Sequence, residues 1–201
     1  MAITVYGDSI SGNCLKVKWT LDRLAIPYEW RETSVLAGDT RTPAFLRLNA
    51  AGQAPVVVLE DGRSLAQSNA ILVHFAEGSD LIPPDPYLRA KMFEWLFWEQ
   101  YSHEPYIAVR RFQLAYAGKR PEELDPKLFE RGSAALQRMD EALAGPAYLV
   151  GEALSLADIA LVAYTRFADQ GGFDLGLYPN VARWVARVDA ELGIEAQPAL
   201  A

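Results

Sequence analysis

An α/β domain followed by an all-helical domain is the architecture this sequence predicts, on three observations. Strand and helix periodicities alternate over residues 1–77, a proline-rich break occupies 78–87, and residues 88–201 carry helical periodicity alone. Ile3-Thr4-Val5-Tyr6 opens as a strand bounded by Gly7-Asp8, after which Cys14, Val17, Leu21 and Leu24 fall on one helical face. Pro27-Tyr28-Glu29-Trp30 reads as a second strand. Thr42-Pro43 supplies an N-cap with proline at the first helical position, starting a short helix to Leu48. Val56-Val57-Val58-Leu59 and Ser64-Leu65-Ala66, joined through Glu60-Asp61-Gly62-Arg63, predict a β-hairpin, with a helix from Asn69 to Ala76 behind it. The order is βαβ, a helical connection, then ββα, which describes a mixed sheet.

Gly78-Ser79-Asp80 and Pro83-Pro84-Asp85-Pro86 interrupt every period, which places the boundary between domains at 78–87. Downstream, Leu88–Ala117 is apolar and aromatic around most of its circumference. Pro126–Ala144 carries a stripe at Leu128, Ala135, Leu136 and Met139, and Val181–Leu192 continues the pattern. Leu154-Ser155-Leu156-Ala157-Asp158-Ile159 is a helix-start signature in which Ser155 caps, Asp158 returns a bond and Leu154 staples to Ile159. Asp158 is therefore expected to serve folding, its removal costing about 0.5–2 kcal/mol.

Composition narrows the function classes. The 201 residues are 51% hydrophobic, ample for packed cores, and 19 Lys and Arg against 26 Asp and Glu give a net charge of −7 that argues against a nucleic-acid surface. Arg110-Arg111 is the densest basic pair, and a pair is not a patch. A single cysteine excludes an internal disulfide. With neither a basic-then-apolar leader nor a long apolar run, the expectation is a cytoplasmic protein with no membrane partner. Two histidines, one cysteine and no close-spaced Asp/Glu/His set argue against a catalytic metal.

Three short signals then follow one another. Ser11-Gly12-Asn13-Cys14 stands at a strand-to-helix turn, where helix amides and the dipole stabilise an anion and a serine hydroxyl can donate to a sulfur. Ser11 reads on its own as a plain helix cap, yet its spacing to Cys14 is that of a C-x-x-C redox motif with a hydroxyl in the first position. Cys14, on the apolar face, reads as a packing residue, and Asn13, Ser9 and Tyr6 are fallback donors. Ala54-Pro55 precedes a strand. It is either an ordinary loop proline or a cis bond that turns the Ala54 amide and carbonyl outward for an added extended peptide. Gln67-Ser68 ends a strand and begins a helix, with Ser68 as N-cap or, on the same physics, as part of a carboxylate site whose neighbour Gln67 faces the amino end of a small peptide.

In the second domain, Trp95-Leu96-Phe97-Trp98 followed by Tyr101, His103, Tyr106 and Arg110 mixes core and cleft candidates. Tyr106 and Arg110 lie four apart on one helix face and are candidate walls of a small-molecule pocket; His103 or Glu104 reaches the same side or serves as a cap.

Taken together, the chain resembles the cytosolic glutathione transferase superfamily along nearly its whole length, most of all its serine-type, theta-like and less characterised bacterial members. The likeness rests on Ser11-Gly12-Asn13-Cys14, Gly52-Gln53-Ala54-Pro55, Gln67-Ser68-Asn69-Ala70-Ile71, the proline-rich linker and the Ser155-to-Asp158 box, in that order. It implies a thioredoxin-like first domain at 1–77 and a helical domain at 88–201 that shapes an electrophile pocket. It implies that Ser11 hydrogen-bonds the glutathione sulfur, that Ala54 beside Pro55 pairs with the cysteinyl backbone, and that Gln67 and Ser68 hold the γ-glutamyl end. Gln53 stands where a lysine often attends the glycyl carboxylate, Ala54 where a larger valine is usual, and Asn13 where several members carry proline. The implied activity is detoxifying transfer of glutathione, as co-substrate, to a small electrophile by a homodimer. Two other readings stay open: glutathione-dependent reduction of a disulfide or peroxide, which one cysteine would have to manage without a dithiol cycle, and a non-catalytic glutathione-binding or regulatory protein.

Overall fold

The structure, a computed structural model, describes residues 3–195. It divides into two compact units between Ile82 and Pro83. The first unit runs β1 (Ile3–Gly7), α1 (Gly12–Arg23), β2 (Tyr28–Glu32), α2 (Pro43–Leu48), β3 (Val56–Val58), β4 (Ser64–Ala66) and α3 (Ser68–Ala76). Its four strands lie in the order β2-β1-β3-β4, with β1 and β2 parallel and the other two pairings antiparallel, so the sheet is mixed. Register places Val5 opposite Trp30 on one side and Val57 on the other. Val5 and Val57 are fully buried, as are Cys14, Val17 and Leu21 of α1 and Ile71 and Leu72 of α3. Burial of each larger aliphatic side chain contributes about 1.5–3 kcal/mol. Gly7 closes β1 for a steric reason, since a Cβ there would stand 2.3 Å from the Trp30 ring.

Proline and polar caps set the helix starts as the sequence predicts for α2, where the Thr42 hydroxyl accepts from the Phe45 amide at 3.3 Å. Helix α1 begins two residues earlier than the apolar stripe suggests, at Gly12, and β2 extends to Glu32. Helix α3 starts at Ser68, so Gln67 and not Ser68 occupies the N-cap position. Boundary shifts of this size are usual where a cap is missing.

The second unit contains α4 (Pro86–Trp98), a π turn at Glu99–His103, α5 (Glu104–Ala115), α6 (Pro126–Ala142), α7 (Leu156–Thr165) and α8 (Pro179–Glu191). Asp85 caps α4 and Asp125 caps α6 through their carboxylates. The long aromatic segment is thus not one helix. The π turn joins α4 to α5 while the backbone stays helical. Every residue of α7 is buried, as its apolar circumference requires.

Asp158 exceeds the role of a local cap. Its carboxylate is completely buried and accepts from the Ser155 amide (3.0 Å), the Ser155 hydroxyl (2.9 Å), the Leu149 amide (2.9 Å) and Trp184 Nε1 (2.8 Å). Burial raises its pKa while these four donors pull it back. The expected cost of 0.5–2 kcal/mol is too small for a group that holds a loop and α8 as well as its own helix.

Candidate functional site

The end of β1 leads into α1 through Asp8, a buried carboxylate that accepts from the Ile10 and Val35 amides and so fixes the turn. Ser11 follows as N-cap of α1 with extended backbone, φ −87° and ψ 119°, but its side chain makes no cap hydrogen bond. The plain capping role is therefore unfilled. The half-buried Ser11 hydroxyl instead lies against Cys14, and hydrogen bonds from it and from the Asp8 backbone only partly offset burial, which pushes the Cys14 thiol up to about 11. Cys14 is fully buried and stays a neutral thiol near pH 7, as a packing residue should.

The start of α3 is joined to this turn. Asn13 Oδ1 accepts from the Ser68 hydroxyl at 3.0 Å and from the Lys16 ammonium at 2.8 Å. Ser68 is 5% exposed and Lys16 fully buried. Ser68 therefore spends its hydroxyl on α1 and does not cap its own helix. Gln67, the residue before it, takes φ 71° and ψ 110°, a conformation rare for a residue with a side chain, and makes no side-chain cap. Such backbone costs about 1–3 kcal/mol and concentrates at functional sites. Its side chain is exposed beside the first turn of α3, whose dipole favours an anion.

The Ala54–Pro55 peptide bond is cis. The Ala54 amide and carbonyl take no hydrogen bond among the described residues, so an extended chain can pair there. Asn49 braces the loop before it, donating to the Gln53 carbonyl at 2.8 Å and accepting from the Ala51 amide at 3.1 Å. Gln53 itself is exposed. Arg41 lies over this loop with Nη1 3.4 Å from the Ala51 carbonyl. Gly52, at φ 62°, holds a backbone conformation that favours glycine, with the Arg41 guanidinium 2.5 Å from where a Cβ would stand.

The fallback donors are turned elsewhere. Ser9 donates its amide and hydroxyl to Glu32, at 2.8 and 2.6 Å; burial raises the Glu32 carboxyl, but these bonds and one from Trp30 outweigh it and hold the pKa below the usual range. Tyr6 faces α2, its ring edge-on to Phe45 and its hydroxyl accepting from Arg31 at 3.0 Å. Of the donors named from sequence, Asn13 is the one that the fold joins to Ser68, two residues on from Ser11.

The second-unit candidates need correction. His103 is fully buried, with Nε2 2.9 Å from Thr165 Oγ1. The Thr165 hydroxyl proton goes to the Leu161 carbonyl, so His103 Nε2 is the donor and the ring joins the π turn to α7. Arg110 is 8% exposed, donates to the Gly171 carbonyl at 2.7 Å and stacks on Phe129 and Phe173. Both residues are internal cross-links, not pocket walls; helical spacing gave the face but not what covers it. Tyr106 is half-buried and accepts from Arg131, while Glu104 opens α5.

Residues 10–77 match the model of the glutathione S-transferase N-terminal domain, and residues 92–191 that of the glutathione S-transferase C-terminal domain. The chain belongs to the glutathione S-transferase family. Over 94% of its length it is 51% identical to a glutathione S-transferase from Pseudomonas fluorescens Pf-5, 96% of which is covered at a TM-score of 0.91. A glutathione S-transferase from Xanthobacter autotrophicus Py2 is 48% identical, with 98% and 97% of the two chains covered and a TM-score of 0.90. A glutathione transferase homologue from Sulfitobacter, solved with bound glutathione, shares the fold at 22% identity and a TM-score of 0.82, covering 96% of this chain and 95% of its own. The fold is accordingly the thioredoxin-like and helical pair characteristic of glutathione transferases.

Two residues beside these candidate positions escape a sequence reading. Arg41 reaches the loop only through its fold. Lys16 reads as a solvated helix residue, and its one signal is its place three residues after Asn13 on the same face.

Proposed function

We propose that this chain is a glutathione transferase that binds glutathione in its first unit and activates the thiol for attack on small electrophiles. The observation that carries the reading is Ser11: an N-cap serine whose hydroxyl leaves its own helix uncapped. A neutral thiol is a weak acceptor, so the Ser11 hydroxyl gains by turning from Cys14 to a bound thiolate, where the hydrogen bond is charge-assisted. Because Cys14 stays protonated, it adds no negative charge that would oppose a second sulfur anion nearby.

The rest of the tripeptide follows the available donors. Ala54 pairs with the cysteinyl backbone, the first turn of α3 with Ser68 receives the γ-glutamyl carboxylate, and Gln67 faces the amino group. Gln53 contributes an amide at the glycyl end, where Arg41 supplies the cation that Gln53 lacks. The relative solved with glutathione supports the choice of ligand. Catalysis here means a lowered thiol pKa and a positioned nucleophile. The sulfur lone pair forms the new bond to the electrophilic carbon as the leaving group departs with its electrons, and the thiol proton goes to solvent. Tyr106 and Glu104 are the remaining pocket candidates of the second unit.

The working form is a cytoplasmic homodimer; the strongly exposed Phe97 and Tyr101, 73% and 82% exposed, support a covered aromatic surface. Titration calorimetry with glutathione, followed by turnover assays with a chloronitrobenzene, an isothiocyanate and an alkyl halide, tests the proposal. Heat of binding and conjugate formation are expected. Absence of uptake would overturn it, and uptake with no conjugate from any electrophile would leave a binding protein instead.

A further inference from the structure

Between the start of α8 and the loop that joins α6 to α7 lies a cavity of about 170 Å³, whose lining includes Gly145, Ala147, Glu152, Asn180, Arg183 and Arg187. Its size falls below the roughly 300–1,000 Å³ of sites that take a drug-sized molecule, so it suits a small ion or a terminal group. Arg183 and Arg187 stand four apart on one face of α8. Both are exposed, and each is held through one Nη by a neutral acceptor: Arg183 by Asn180 Oδ1, Arg187 by the Ala147 carbonyl. Asn180 is fixed in turn, because its Nδ2 donates to the Asp140 carbonyl and carboxylate, both at 3.0 Å. Arg187 also lies over the Tyr148 ring, 5.7 Å from its centroid.

Neither guanidinium is paired with a carboxylate among the described residues, in a chain with 26 Asp and Glu against 19 Lys and Arg. The neighbouring acids are engaged by other donors. Asp140 accepts from the Asn180 and Val181 amides, and Glu191 from the Tyr148 hydroxyl. Among the described residues, Glu152 is the one carboxylate that lines the cavity. The Gly145 and Ala147 amides of the same lining take no hydrogen bond among the described residues. We propose that this cavity binds a small oxyanion, a phosphate group above all, through Arg183 and Arg187. Like charges four apart on a helix repel, and an anion shared between them turns that repulsion into two charge-assisted contacts. A guanidinium has five N–H donors in a planar fork, so one bond to a neutral acceptor fixes its orientation and leaves donors for the oxyanion. Glu152 opposes the anion and sets a ceiling on its affinity.

Titration calorimetry on the full chain, without glutathione and at constant ionic strength, tests the site with inorganic phosphate, phenyl phosphate and acetate. Wild type is expected to bind phosphate, and to bind acetate about tenfold more weakly, since acetate carries less charge and fewer acceptor oxygens. Phenyl phosphate binding as tightly as phosphate would identify the end group of an organic phosphate as the ligand; phosphate binding alone would identify the free ion. Arg183→Gln and Arg187→Gln should each weaken phosphate about tenfold, and Glu152→Gln should tighten it about threefold. If a glutamine variant disturbs α8, Arg183→Lys and Arg187→Lys carry the same measurement, with a smaller loss of about threefold because the charge stays and the fork goes. No phosphate heat in wild type beyond that of chloride, equal affinity in wild type and the Arg183→Gln/Arg187→Gln double variant, or weaker binding in Glu152→Gln would overturn the proposal.

Discussion

The starts of α1 and α3 differ from those of α4, α6, α7 and α8 in the second unit, and also from that of α2 in their own unit, which Thr42 caps. Helices α1 and α3 begin at Ser11 and Gln67, neither of which caps its helix with its side chain. In the second unit, α4 and α6 are capped by Asp85 and Asp125, α8 receives Asp140 at its Asn180 and Val181 amides, and α7 starts in the Ser155–Asp158 box. Polar residues there are consumed by the fold. At α1 and α3, Ser11 and Gln67 stand at helix starts without capping them, and the proposed anion site rests on that.

The sharpest contrast comes from Asp158. Asp158→Ala removes the common acceptor of three N–H groups and a hydroxyl, and should cost about 3–5 kcal/mol in a denaturant melt. Glutathione affinity of the fraction that stays folded should be unchanged. A loss under 1 kcal/mol would show the box to be an ordinary cap.

Cys14 supplies a pH test. Its folded thiol pKa, about 11, lies above the usual value of 9.0, so folding favours the neutral form. The stabilisation is whole below about pH 9 and is lost as pH rises toward 11, a slope amounting to about 2–3 kcal/mol. Cys14→Ala should flatten that slope in urea melts taken between these pH values. An identical slope in the variant would place the alkaline sensitivity elsewhere.

Ser68→Ala removes the hydroxyl that ties the first turn of α3 to Asn13 beside the proposed carboxylate site, and glutathione affinity should fall about tenfold or more, with little change in melting temperature. Undiminished affinity would move the γ-glutamyl end away from α3 and dissolve the contrast between bare and filled helix starts.

Much of the fold was legible because its signals are local. Thr42-Pro43 at α2 and Ser155 with Asp158 at α7 carry their physics within four residues, and both helices start where those residues say. The hairpin and the break before the second unit are readable for the same reason. Candidate site residues divided by range. Ser11 and Ser68 were found from the turns they occupy, whereas the hydrogen bond from Ser68 to Asn13 spans 55 positions and has no local trace. Lys16 was missed because a lysine in a helix is read as solvated, and its burial depends on what α3 covers. His103 and Arg110 were misplaced for the converse reason: helical spacing assigned them a face, and Thr165, Gly171 and Phe173, all far along the chain, fill that face.

The central claim concerns one hydroxyl and one sulfur, and thiolate absorbance of bound glutathione followed across pH measures it directly. With wild type the thiol should ionise well below the free value of about 8.5, and with Ser11→Ala its pKa should rise by about one unit while affinity stays within about threefold. Coincident titration curves for wild type and Ser11→Ala would contradict the account.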